Sequence, residues 1–324
     1  MKVNFTEYEQ ILRAERVSIY DLLKHFKKED MDYDEWGNVY INFSKETKGT
    51  PIMVAHTDNV LRGERKPVLT LDGKRIFGGN GVGIGFDDKT GIICAIEIWK
   101  RMHKKGMRII FTADEEIGGV GARHVPETKL EDAAYIIEMD RRGGNDVIDV
   151  SGATRLASDE FVKIWEDLGF KTATGTFTDL NEFKDVAPKV NMVNISCGYY
   201  KPHTNDEYLE IAEFEHNVDR IFEMISTHPD VIVDDTPEEP KKYDRYGTYS
   251  GCYGNQYDWE DKLDRYYNTV DECAYCGAIV RPHEGVEDAD GNVFCDEKCQ
   301  HWYEQMVNNE DQSYGDDGED KTKE

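Results

Sequence analysis

The sequence predicts an α/β fold: a mostly parallel mixed sheet flanked by helices, followed by a small module stapled through cysteines. Three observations carry this expectation. Short apolar runs, "PIMVA", "MRIIF", "AAYII" and "KVNMVNIS", alternate with segments of helical periodicity, the pattern of strands connected through helices. The alternation stops near residue 229. Beyond it, four of the seven cysteines cluster between 273 and 299.

Taken in order, residues 3–28 have helix-like periodicity, with Ile11, Leu12, Ile19, Leu22, Leu23 and Phe26 as core positions. A turn at "DEWGN" leads into the strand "VYINF", and "PIMVAHTD" follows as a short apolar strand. "PVLTLDGKRIFG" reads as a hairpin turning at Asp72-Gly73, a favoured hairpin dipeptide. Residues 88–104 present one apolar helical face, and "GMRIIFTAD" is the next strand. A short helix around 119–124 precedes the strand "AAYIIEMD", and "NDVIDVSG" is an added strand. A capped helix, "SDEFVKIWEDLG", the strand "KTATGTF", a short helix, "TDLNEFKDV", and the strand "KVNMVNISCG" come next, and 206–226 form a closing helix. No internal repeat is present.

The chain has 324 residues and a formal net charge of −27. Residues 230–324 contain 26 Asp+Glu against 9 Lys+Arg, so phosphate-rich partners would be repelled, and neither nucleic acid nor a membrane surface is expected. The N-terminus lacks the apolar core of about 7–15 residues of a signal peptide, and no run approaches the ~20 apolar residues of a membrane span. A cytoplasmic location is the expectation. Cys94 and Cys197 sit in apolar surroundings as small buried hydrophobes, and an odd cysteine count does not read as a disulfide framework.

Polar motifs fall where the predicted strands end. His56 and Asp58 close "PIMVAHTD"; Asp87 and Asp88 lie in "GIGFDDKTG", between a glycine-rich loop and a helix; Glu115 and Glu116 follow "MRIIFTAD"; Asp140 ends "AAYIIEMD"; and His203 lies in "YYKPHTNDEYL". Each has a bland alternative: a capped turn, acids at a helix N-terminus, a solvated acidic loop, a surface histidine. Together, at carboxyl ends of strands where α/β sheets collect ligands, two histidines and three carboxylates can hold two divalent metals if one carboxylate bridges. A carboxylate left off the metals can take a proton from a shared water.

These motifs, "VAHTD", "GFDDKTG", "TADEEIGGVGA", "EMD" and "KPHTNDEYL", resemble in order those of the co-catalytic dizinc exopeptidases and amidohydrolases, most closely peptidase T. The resemblance spans about residues 1–228. It implies that His56 and Asp140 hold one zinc, Glu116 and His203 the other, that Asp87 bridges, and that Glu115 is the general base and acid. Asp58 would orient His56, and the peptide between Asp87 and Asp88 would be cis, as is frequent in that family. Only 62 residues lie between Asp140 and His203, which leaves no room for the lid domain that many relatives insert there. With the lid histidine absent, Tyr199 or Tyr200 is the candidate oxyanion donor, though two tyrosines packing at a strand end explain the pair equally well. Asp179, in "TGTFTDLNEF", resembles a Thr-Asp element near the relatives' active site, though a helix cap explains it equally well.

Cys273-x2-Cys276 and Cys295-x3-Cys299, 18 residues apart, have the spacing of a Cys₄ zinc site and resemble a treble clef or zinc ribbon. The expected organisation is a hydrolase domain at 1–228, an acidic Tyr-rich linker at 229–270, a zinc module at 271–305 with a structural or protein-docking role, and an acidic disordered tail at 306–324. The expected activity is hydrolysis of peptide substrates by an aminopeptidase or di/tripeptidase, through a metal-bridged hydroxide with Glu115 as base. The alternatives are an N-acyl-amino-acid deacylase and a non-catalytic adaptor with a retired hydrolase domain.

Overall fold

The stretch expected to be one N-terminal helix is several short ones. A 3-10 turn, Phe5–Tyr8, runs into α1 (Glu9–Arg13), and the chain then extends at Ala14, with ψ 141°. Ser18 and Asp21 form a reciprocal capping box that starts α2 (Ile19–Leu22). That box satisfies the backbone donors of a new helix start, and the Val17 N–H donates instead to the Thr57 carbonyl. Local capping chemistry therefore overrides the apolar periodicity.

In this computed structural model the described residues are 2–103, 106–230 and 232, with 271–272, 279–280, 286–288, 292–294 and 300–301 beyond them. The chain divides into two compact units, Met1–Lys241 and Lys242–Glu324.

In the first unit, β1 (Met31–Tyr33) and β2 (Val39–Ile41) form a hairpin. Asp34 accepts the backbone N–H groups of Trp36 and Asn38 and so closes its turn. Next come β3 (Ile52–His56), the hairpin of β4 (Pro67–Leu69) and β5 (Arg75–Gly78), and the long helix α3 (Phe86–Arg101). After β6 (Arg108–Thr112) come two short helices, α4 (Val120–Arg123) and α5 (Glu127–Leu130). Strands β7 (Ile136–Arg141), β8 (Asp146–Ser151) and β9 (Thr154–Arg155) lead to α6 (Asp159–Asp167). The unit ends with β10 (Lys171–Gly175), α7 (Asp179–Val186), β11 (Met192–Ser196), β12 (Tyr199–Tyr200), β13 (Tyr208–Glu210) and α8 (Ile211–Thr227).

The main sheet has the order β1-β2-β6-β3-β7-β11-β8-β10, with β9 on β8. Its centre, β6-β3-β7-β11, is parallel; β8 joins β11 antiparallel, and β10 joins β8 parallel. Central strands are buried on both faces, as parallel sheets require. Alternate side chains of β3 serve two cores: Met53 and Ala55 pack with α3 residues such as Ile92 and Ile96. Ile52 and Val54 pack with Leu180 and Phe183 of α7. This period-two division explains why the run is apolar throughout rather than alternating.

A second sheet, β12-β13-β5-β4, matters for the site. Tyr208 pairs with Phe77 and Glu210 with Arg75, so the loop leaving β5 and the loop entering β13 emerge at the same end. The first leads to Asp87 and the second carries His203. Residues 141–202, between the Asp140-type and His203-type positions, are taken up by β8 to β12 with α6 and α7.

In the second unit, Asp271–Glu272 pairs with Ile279–Val280, and Val286–Glu287 with Val293–Phe294, both antiparallel. Cys273, Cys276, Cys295 and Cys299, and with them the expected zinc module, lie outside the described residues, as do the 306–324 tail and nearly all of the 229–270 linker. Among the described residues no helix is long and apolar enough to cross a membrane.

Candidate metal centre

His56 is the last residue of β3, and its ring is 0% exposed. Its Nε2 lies 3.0 Å from Asp87 Oδ1 and 3.8 Å from Asp140 Oδ1, at the end of β7. Its Nδ1 lies 3.3 Å from Asp58 Oδ1. Asp87 occupies the first turn of α3 in a non-helical conformation (φ −82°, ψ 101°), and the Asp87–Asp88 peptide is cis. The other Asp87 oxygen, Oδ2, is 3.1 Å from His203 Nε2, which is also 3.0 Å from Glu116 Oε1. Two trios result, His56–Asp87–Asp140 and Asp87–Glu116–His203, each with its candidate ligand atoms within 4.8 Å of one another.

The donor set fits two divalent cations. Imidazole nitrogens and carboxylate oxygens are the ligands that borderline metals such as zinc prefer. Asp87 presents one oxygen to each imidazole, as a bridging carboxylate must. Without cations the carboxylates disturb one another. Burial, with the Asp87 charge adding to it, pushes Asp140 up to about 8. Burial opposes the charge on Asp87 too, but hydrogen bonds from His203 and His56 hold its carboxyl well below the usual range. Burial also pushes Glu115 up, only partly offset by His56, with Asp140, Asp179 and Glu116 adding to the rise.

Asp58 ties the two trios together. Besides facing His56, it accepts the backbone N–H of Glu115 on Oδ1 (3.1 Å) and of Glu116 on Oδ2 (3.2 Å). One carboxylate thus faces an imidazole of one trio and accepts from the turn after β6 that bears Glu116 of the other. Asp114, the third acid of "DEE", faces away from this division of labour: it is buried, has φ +60°, and pairs with Arg16 from the break between α1 and α2.

The tyrosines have other partners. The buried Tyr199 hydroxyl donates to Asp140 Oδ1 at 3.2 Å, and the Tyr200 hydroxyl donates to Glu213 Oε2 at 2.6 Å while its ring stacks on Tyr208. Asp179 starts α7 in full burial and is pushed up to about 7 by that burial, the Thr112 hydroxyl opposing.

Several polar residues around the centre are absent from the sequence reading, and all but Glu138 carry no readable signal on their own. Glu207, four positions beyond His203, accepts the N–H groups of Gly85, Phe86 and Asp87. Burial pushes it up to about 7 against those donors. Asn59 Nδ2 donates to the Asp87 carbonyl at 2.7 Å, and Arg65 donates to Asn59 Oδ1 and to the Ile84 carbonyl. Lys89 is buried and donates to the carbonyls of Ile84, Leu12 and Ala14. Glu138 is fully buried in β7 and neither of its oxygens receives a hydrogen bond. Its signal was available: an acid at a mid-strand position inside the apolar run "AAYII-E-M".

Several solved structures share this fold. An aminopeptidase PepT from Bacillus cereus aligns with 14% identity and a TM-score of 0.57, over 68% of this chain and 96% of that one. A tripeptidase from Staphylococcus aureus aligns with 14% identity and a TM-score of 0.55, over 69% and 97%. A TET aminopeptidase from a marine sediment thaumarchaeon aligns with 12% identity and a TM-score of 0.55, over 68% and 96%. No curated protein sequence matches. Residues 52–227, which include every member of both trios, match the sequence profile of Peptidase family M20/M25/M40. The chain is therefore a metallopeptidase and belongs to Peptidase family M20/M25/M40.

Proposed function

We propose that the chain is a two-metal exopeptidase that cleaves the N-terminal peptide bond of short peptides, with His56 and Asp140 on one ion, Glu116 and His203 on the other, and Asp87 between them. The observation that carries this reading is the placement of the Asp87 oxygens, one facing each imidazole at 3.0 and 3.1 Å. When bound, two such ions, zinc by the donor set, would polarise an amide carbonyl and acidify a water.

The chain's own residues do the rest. Glu115, half-buried and anchored by its N–H to Asp58, takes the proton of the attacking water and delivers it to the leaving amine. Asp58 keeps the His56 ring oriented, and Tyr199 does the same for Asp140. With residues 141–202 built into sheets and helices, the mouth of the site has no inserted lid and admits a peptide end. The names of the aminopeptidase and tripeptidase structures of like fold support peptides as the substrate class. The spacing of Cys273, Cys276, Cys295 and Cys299 supports a third, structural zinc, and we propose a structural or protein-docking role for the module that would hold it.

The test is metal content together with turnover on aminoacyl, dipeptide, tripeptide and N-acyl substrates. Three zinc ions per chain are expected, one of them lost when Cys273 and Cys276 are changed to Ser, with turnover of unblocked peptides. Turnover of N-acyl amino acids alone would make the chain a deacylase. Two ions in the site with no amide substrate turned over would favour the adaptor reading.

A further inference from the structure

The first turn of α3, which carries Asp87, has no cap within the helix; the helix's own side-chain cap comes one turn later, where Asp88 Oδ1 accepts the Gly91 N–H at 2.9 Å. The N-cap residue of α3 is Gly85, with φ +75° and no side chain to accept the first N–H groups. Glycine is required there because a Cβ would lie 2.0 Å from Asn59 Nδ2. The non-helical backbone at Asp87 and Asp88 distorts the first turn further. A helix start leaves its leading N–H groups unpaired unless something else accepts them.

Glu207 accepts them from 120 residues away. Its Oε2 takes Gly85 N–H at 2.6 Å and Phe86 N–H at 2.9 Å, and Oε1 takes Asp87 N–H at 3.4 Å. The side chain is fully buried, so water cannot substitute. The same two loops touch elsewhere: Gly83 N–H donates to Asn205 Oδ1 at 3.4 Å, and a Cβ on Gly83 would lie 2.6 Å from the Thr204 carbonyl. His203 sits at the head of this segment with φ +62°, preceded by Lys201 at +55°, conformations that side-chain-bearing residues adopt only when their surroundings impose them.

We propose that Glu207 is a positioning residue of the metal centre: it accepts the N–H groups of the irregular first turn of α3 and locks the His203 loop onto the Asp87 loop, so that the Asp87–Glu116–His203 trio is preformed. The inference rests on reading those residues as metal ligands. The other trio depends on it less, because His56 and Asp140 are held on adjacent strands, β3 and β7.

The experiment uses the full-length chain, stripped of metal and titrated with Zn²⁺ by calorimetry and with Co²⁺ by visible absorption, where thiolate-bound cobalt is separately recognisable. Glu207→Gln keeps the shape and one acceptor oxygen; Glu207→Ala removes both; Ile221→Ala, in the core of α8, is a control for general loss of stability. In both Glu207 variants one of the two carboxylate–imidazole sites should weaken by about 10–100-fold, with the other unchanged. Peptide turnover in the Gln variant should fall through kcat with KM held, and excess Zn²⁺ should restore it. Ile221→Ala should lower the melting temperature without splitting the two affinities. If the wild type binds a metal pair and Glu207→Gln binds both ions as tightly, or loses both equally, Glu207 is not a positioning residue. If the wild type itself takes up no pair, the two-metal reading fails instead.

Discussion

The two halves of the candidate metal centre are built to different standards. His56 ends a central strand with its ring 0% exposed, faced by Asp58, Asp87 and Asp140. His203 lies on a loop, its side chain 49% exposed, and among the described residues its charged partners at contact distance are Asp87 and Glu116. The first half is part of the sheet's edge, fixed by the hydrogen bonds that hold β3 between β6 and β7. The second is a loop fastened onto the first. A site of this kind can admit an ion, and a peptide end, through its exposed half while the buried half keeps the geometry. Both halves share Asp87, and Asp58 and Glu207 are the residues that convey order from the rigid side to the loop side.

Glu115 lies in neither trio, and on the proposed reading its replacement separates chemistry from assembly most sharply. Glu115→Gln should lower kcat by about 10²–10⁴-fold, the usual scale for a lost general base, with metal content equal to that of the wild type. Proportional loss of metal and rate would instead make Glu115 a ligand and dissolve the division between it and Glu116.

The comparison itself is tested by His56→Ala against His203→Ala. Removing His56 deprives Asp58, Asp87 and Asp140 of their shared partner in a buried place, and an uncompensated buried charge typically costs about 3–5 kcal/mol. The metal-free protein should therefore melt several degrees lower. His203→Ala should abolish binding of one ion and leave the metal-free melting temperature nearly as it was, since water reaches the groups it leaves behind. Equal destabilisation by both substitutions, measured by thermal denaturation in chelator, would mean that the halves are energetically alike.

The sequence carried most of this centre because its residues lie at ends of apolar runs. His56 and Asp140 end strands, and the Glu115–Glu116 pair follows one, whose burial is written in consecutive Ile, Val, Met and Phe, so position along the chain maps onto position at the sheet edge. Residues whose role is to hold backbone were silent. Glu207 and Asn59 act on carbonyl and N–H groups far away in sequence, and no local pattern distinguishes such a side chain from a surface one. Arg16 is a similar case. It was read within a continuous amphipathic helix, but the Ser18–Asp21 capping box breaks that helix, and Arg16 in the gap pairs with Asp114, the acid for which the sequence offered no partner.

The smallest effect discriminates between two adjacent tyrosines. Both were candidate oxyanion donors by proximity to His203, but their hydroxyls point to different acids: Tyr199 to the proposed ligand Asp140, and Tyr200 to Glu213 on α8. A hydroxyl donating to a ligand carboxylate fixes which oxygen faces the metal, and losing such a partner commonly costs about 10-fold in metal affinity or rate. Tyr199→Phe keeps the buried ring and removes only that bond, so it should weaken the His56-side ion by this factor. Tyr200→Phe frees Glu213, which sits beside Gly144, and should leave both affinities and kcat as they were. Were Tyr200→Phe instead to lower kcat with metal binding intact, its hydroxyl would have to leave Glu213 for the substrate carbonyl during turnover, and the exposed half of the site would contribute chemistry as well as access.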